Sequence, residues 1–105
     1  MKKRGKKTGV GRKSSYKKVL DNAKPEFYFR LINGQKIKNL LSLVNVLDKI
    51  TDDVFYHHVN EQRNDFSNWI RDIFKQKKLA DEIAKVHNRL ETQVILLKLI
   101  VKKLK

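Results

Sequence analysis

The stretch DVFYHHVNEQRNDFSNWIRDIF, Asp53–Phe74, decides how this chain folds. It holds two adjacent histidines, a run of Asn and Asp, and the one tryptophan, in a chain otherwise rich in lysine and leucine. Thr51, just upstream, fits a helix N-cap, with Asp52 and Asp53 in the first turn, where the helix dipole favours carboxylates. On that helix Val54, Phe55, His58 and Val59 share one face. His58 is therefore expected in the core, as a neutral ring hydrogen-bonded to the backbone. His57 lies about 100° away around the helix, between Asp53 and Glu61, and reads as a surface side chain beside two carboxylates. A second helix follows, with Phe66, Trp69, Ile70, Ile73 and Phe74 at helical spacing and Asn64 or Asp65 as its cap. Trp69 lies between Phe66 and Ile73 on the apolar face, so it reads as core.

Two chemical readings of the same stretch compete with this structural one. A metal site needs three or four converging ligands. Adjacent histidines on a helix diverge, His87 belongs to another element, and no ligand spacing is recognisable. Acid–base catalysis by His57 or His58 with Asp65 would be expected to come with a nucleophile signature or a cofactor loop, and neither is present. No enzyme, metal or cofactor is expected.

On the N-terminal side, EFYFRLINGQKI alternates Phe27, Phe29 and Leu31 on one face with Tyr28, Arg30 and Ile32 on the other. Asn33-Gly34 signals a tight hairpin of type I′, so two short strands are expected, the second around Gln35–Ile37. In NLLSLVNVLDKI, Leu40, Leu43, Val44 and Leu47 recur at i, i+3, i+4 and i+7 and predict a helix. Pro25 marks the start of the folded part.

On the C-terminal side, Leu79 to Lys105 contains no proline or glycine. Leu79, Ile83, Val86, Leu90, Val94, Leu97, Val101 and Leu104 form one stripe, predicting a single helix over about 79–104 that is up to about 40 Å long. Two consecutive spacings of four break a strict heptad. Ile95, Leu96, Leu99 and Ile100 widen the stripe almost all round, so several faces need cover. The cover is either the chain's own core or a second copy, giving a homodimer through Leu90–Leu104.

The net charge of +14 over 105 residues points to a polyanionic partner, with nucleic acid ahead of an anionic membrane surface. Residues 1–24 hold ten Lys/Arg against one acid, Asp21. This segment, 1–24, reads as a disordered basic arm, and 25–105 as a single compact domain. Lys2, Lys3, Arg4, Lys6, Lys7, Arg12, Lys13, Lys17 and Lys18 would meet phosphates, with Tyr16 a lone aromatic among them. Arg71, Lys75 and Lys78 fall on one face if their helix continues that far, and make a second phosphate-contacting patch. Lys98, Lys102, Lys103 and Lys105 form a third cluster. GKKTGVGRKSS lacks the P-loop spacing, and no zinc finger, RNP aromatics or helix-turn-helix is visible. The absence of cysteine suits a reducing cytosol, and the N-terminus has no signal-peptide h-region. The apolar run Val94–Val101 is too short to span a bilayer.

KPEFYFRLINGQKIKNLLSLVNVLDKI, the FYHHVN and NDFSNWI blocks, and LADEIAKV together resemble a family of small prokaryotic, often archaeal, domains of unknown function. The resemblance covers about Lys24 to Val86. It implies a self-contained cytoplasmic module and carries no activity or catalytic residue. The arm lies outside it and is similar in composition to the N-terminal extensions of ribosomal and nucleoid proteins.

These readings converge on an α+β fold, mostly helical, with one N-terminal hairpin, a basic arm and a long C-terminal helix. The expected function is sequence-tolerant binding of DNA or RNA in the cytoplasm, as a nucleoid- or ribosome-associated protein. The rivals are a protein–protein adaptor using the C-terminal helix, and a small metal-dependent or hydrolytic enzyme around His57, His58 and Asp65.

Overall fold

The computed structural model describes residues 20–104. The arm residues from Lys2 to Lys18, and Lys105, lie outside them. A 3₁₀ turn at Pro25–Phe27 leads into a two-stranded antiparallel hairpin, β1 (Phe29–Arg30) and β2 (Lys36–Ile37), with Phe29 opposite Ile37. Five helices follow: α1 (Leu40–Leu47), α2 (Asp52–His58), α3 (Asp65–Phe74), α4 (Lys77–Ala84) and α5 (Arg89–Leu104). The fold is α+β and ends, as expected, in its longest helix.

Apolar spacing accounts for the core. Leu40, Leu43, Val44 and Leu47 of α1 are all buried, as are Phe55 of α2 and Phe66, Trp69, Ile70 and Phe74 of α3. Each of these helices opens on a side-chain cap. Asn39 Oδ1 accepts from Ser42 N–H, Thr51 Oγ1 from Val54 N–H, and Asn64 Oδ1 from Ser67 N–H. Such caps satisfy donors that the helix cannot bond internally, and each is worth about 1 kcal/mol. Packing begins upstream of Pro25: Ala23 is buried, and its N–H donates to the Lys38 carbonyl.

The hairpin differs from expectation in its turn. Only Gly34 has positive φ, at 93°; Asn33 does not, so the turn is not type I′. Gly34 N–H donates to the Leu31 carbonyl and Leu31 N–H to the Gln35 carbonyl, which is the pattern of a three-residue loop ending in a glycine bulge. Phe27 falls outside the strand, in the 3₁₀ turn, and is exposed.

The single helix expected over 79–104 is two. α4 ends at Ala84, and α5 begins at Arg89. The interruption has a local cause. Asn88 Oδ1 accepts from Glu91 N–H at 2.7 Å, and Asn88 Nδ2 donates to the Glu91 carboxylate at 2.8 Å. Asn followed three residues later by Glu is a capping arrangement that starts a helix anew. The break also lets α4 lie against α3 and α5 turn back along α1. Ser67 Oγ donates to the Ala80 carbonyl at 2.7 Å, tying α3 to α4. Arg89 donates to the Leu47 carbonyl at 2.7 Å and Gln93 to the Val44 carbonyl at 3.1 Å, tying α5 to α1.

α3 stops at Phe74 because Lys75 adopts a left-handed conformation, φ 57°. The N–H groups of Lys75 and Gln76 both close on the Ile70 carbonyl. Arg71, Lys75 and Lys78 therefore do not share one helix, contrary to expectation. A side chain with a Cβ is held here at a cost of about 1 kcal/mol, which glycine would not bear. Lys75→Gly is expected to stabilise the fold by about 0.5–1 kcal/mol in urea unfolding, with the m-value unchanged.

Candidate nucleic-acid interface

The histidine stretch is a structural joint. His58, 6% exposed, is buried among Phe29, Phe66 and its own helix, with its ring edge-on to Phe29 at 5.1 Å. Its Nε2 accepts a hydrogen bond from Ile32 N–H at 3.1 Å. That nitrogen therefore carries no proton, and Nδ1–H donates to Asp65 Oδ2 at 3.0 Å. The ring bridges the hairpin loop to the first turn of α3. The glycine bulge is what makes this available, since a two-residue turn at Asn33-Gly34 would have paired Ile32 with Gln35.

Histidine hydrogen-bonded to aspartate also occurs in catalytic sites, but this ring is differently occupied. A general base presents its free nitrogen to a reacting proton. Here the nitrogen away from Asp65 is taken by a backbone amide. Asp65 is also paired with Arg63, at 3.3 Å, and Arg63 in turn donates to the His57 carbonyl at 2.7 Å. His57 is exposed, with its ring edge-on to His58. No group of three or more metal-ligating side chains gathers among the described residues. Trp69 is buried, and its Nε1–H donates to the Phe27 carbonyl at 2.7 Å, so its polar edge is used to hold the 3₁₀ turn.

Three of the four arginines among the described residues are held in ion pairs, and Arg30 is exposed. Arg63, Arg71 and Arg89 each pair with an aspartate: Asp65, Asp81 and Asp52 respectively. Arg71 also donates to Asn68, so this member of the expected patch is engaged within the fold. Lysines behave otherwise. Among the described residues only Lys77 forms an ion pair, with Asp81. Arginine's planar fork suits fixed internal pairing, whereas lysine is a mobile point charge.

Four unpaired lysines meet in one place. A groove of about 630 Å³ runs between α4 and the C-terminal half of α5. Lys78 lines it from α4, and Lys98, Lys102 and Lys103 line it from α5, while Leu79, Ile95 and Leu99 supply its apolar surface. Glu82 is its one carboxylate, with Gln76 at the end. Lysine stems can lie on such a surface while the ammonium groups stay in water. Lys78 thus joins the C-terminal lysines rather than Arg71. Along the sequence these residues fall into two separate clusters. Their meeting depends on the helix break at 85–88, and the Asn88–Glu91 cap is the signal that reveals it. Lys75 sits exposed at the end of α3, on a backbone that favours glycine.

Residues 22–98 match the model of a Family of unknown function (DUF5752). No curated protein and no solved structure matches the chain.

The joint predicts unequal histidines. His58→Ala is expected to destabilise the fold by roughly 1–3 kcal/mol, through a cavity and an orphaned Ile32 N–H. His57→Ala is expected to stay within about 0.5 kcal/mol of the parent. Denaturant titration of both variants checks this, and equal losses would contradict it.

Proposed function

The chain belongs to the Family of unknown function (DUF5752), and we propose that it is a non-enzymatic, sequence-tolerant nucleic-acid-binding protein acting through phosphate contacts. The observation that carries this reading is the groove. Lys78, Lys98, Lys102 and Lys103 line one concave surface with a single carboxylate, and none of them forms an ion pair among the described residues. The basic arm adds Lys2, Lys3, Arg4, Lys6, Lys7, Arg12, Lys13, Lys17 and Lys18 in sequence. Lys75 adds an exposed charge near the start of α4. A polyanion that crosses groove and arm would relieve the self-repulsion of a +14 chain.

Phosphate contact of this kind is indifferent to base sequence, because backbone contacts position a protein without reading bases. The setting is a cytoplasmic one, on the nucleoid or the ribosome. No helix among the described residues is long and apolar enough to cross a membrane. The same reading includes a homodimer through Leu90–Leu104, which would bring two arms to one polyanion and raise avidity.

The test is the salt dependence of binding to random duplex DNA and to random RNA. With about six phosphates neutralised on duplex DNA, log K falls against log salt with a slope near −5. Deleting residues 1–18 flattens the slope and leaves the fold intact. Lys78→Gln, Lys102→Gln and Lys103→Gln together flatten it further, by about 0.9 for each phosphate that is no longer neutralised. Unchanged slopes in both variants would refute the reading.

A further inference from the structure

α5 has two apolar faces. Thr92, Leu96 and Ile100 are buried against the body of the protein. On the opposite face Leu90, Val94, Leu97 and Val101 are 67%, 40%, 40% and 51% exposed. Within α5 their spacings are four, three and four, an unbroken heptad alternation. The irregular step of the longer stripe includes Val86, which lies before α5 begins, so it does not disturb this face. Valine occupies one heptad position and leucine the other, so the stripe is apolar at both.

We infer that this face seats α5 of a second copy in antiparallel orientation, placing both lysine grooves on one side of the dimer. The inference rests on the self-association in the proposed function and adds its geometry. Charge complementarity carries the orientation. Glu91 and Lys98 occupy the same flanking position of successive heptads, on the groove side of the stripe. Antiparallel helices bring like flanking positions together, so Glu91 of each copy meets Lys98 of the other. Parallel helices would instead set Lys98 beside Gln93, and would crowd Lys98, Lys102 and Lys103 of both copies at one end. Opposed helix dipoles favour the antiparallel pair as well.

The grooves follow from symmetry. In an antiparallel pair the two-fold axis is perpendicular to the plane of the helices. Flanks of the same kind then face the same side. The Lys98–Lys102 flank of each α5 borders its groove, so the two grooves form one basic track on a single face. A parallel pair would put them on opposite faces. A seam of four side chains per copy is at the small end of specific interfaces, so the dimer forms and dissociates with concentration.

The test uses the absence of cysteine. With Val94 facing Leu97, residue 90 faces residue 101 of the second copy, whereas the two copies of residue 90 are about 16 Å apart. That exceeds disulfide reach. Leu90→Cys and Val101→Cys are made in separate full-length chains, one of them tagged, and oxidised alone and mixed. Both positions are exposed, so the fold survives either change. The expected result is a dominant mixed disulfide with little self-crosslinking, abolished when Leu97→Glu is added to both chains. Self-crosslinking of each chain without a preferred mixed product would overturn the antiparallel arrangement in favour of a parallel one. No crosslink, with the parent chain a monomer by sedimentation up to submillimolar concentration, would overturn self-association altogether. The salt slope of the parent chain separates these failures from failure of the nucleic-acid reading. A slope retained where no crosslink forms leaves phosphate binding standing, and a missing slope alongside the mixed crosslink would remove phosphate binding alone.

Discussion

A single imidazole ring joins the hairpin loop to the first turn of α3. The hairpin loop reaches His58 through Ile32 N–H, and α3 reaches it through Asp65, with both bonds near 3 Å. The three elements are far apart in type: a loop, the end of one helix and the start of another. None of them is long enough to be stable alone, since isolated helices of this length and two-stranded hairpins are marginal in water. The ring fixes their mutual placement with directional bonds at both ends, and the stacked Phe29 and Phe66 beside it supply the apolar contact. Without the bulged turn, Ile32 N–H would be consumed within the hairpin. Turn type, tautomer and helix placement are one linked choice.

From this joint the packing extends through α3. Asn64 caps α3 with its oxygen and donates its amide to the Ile83 carbonyl at 3.4 Å, while Ser67 reaches the Ala80 carbonyl. Two buried polar side chains thus set α4 on α3, each satisfied on the spot, as buried polar groups must be. α5 is held differently. Its side-chain hydrogen bonds to α1, from Arg89 and Gln93, lie at its N-terminal end. The C-terminal half depends on Leu96 and Ile100, helped by the half-buried Ile95 and Leu99.

Periodic features are legible in this sequence and conditional ones are obscure. The faces of α1, α2 and α3 follow directly from apolar spacing, and the caps at Thr51 and Asn64 from residue type. His58 can be placed inward because its neighbours at helical spacing are apolar. The long C-terminal stripe misleads for a physical reason. Leu79 and Ile83 are buried whereas Leu90, Val94, Leu97 and Val101 are exposed, so one apparent period spans two helices with different surroundings. Apolar periodicity reports that a face wants cover, not what covers it. The Asn88–Glu91 cap carries the missing information, but such a pair also occurs within uninterrupted helices. The groove is obscure for a related reason: Lys78 and Lys102 come together only once the chain reverses between α4 and α5.

The least anchored part of the fold coincides with the proposed binding surfaces, and the coincidence has an energetic meaning. The C-terminal half of α5 bears the lysine groove on one flank and the exposed apolar stripe beside it. Neither feature helps the isolated chain. Three lysines on two turns repel one another, and the exposed Val94, Leu97 and Val101 gain nothing from water. A phosphate backbone in the groove would reverse the first cost, and a second α5 on the stripe would reverse the second. Each would bind the folded helix and not its unfolded form, so each would stabilise it by mass action. A segment that is costly alone and favourable when covered on two sides makes binding and local folding parts of one equilibrium. The hairpin, α2 and α3, locked around His58, need no such help and provide the fixed base against which α5 can be ordered.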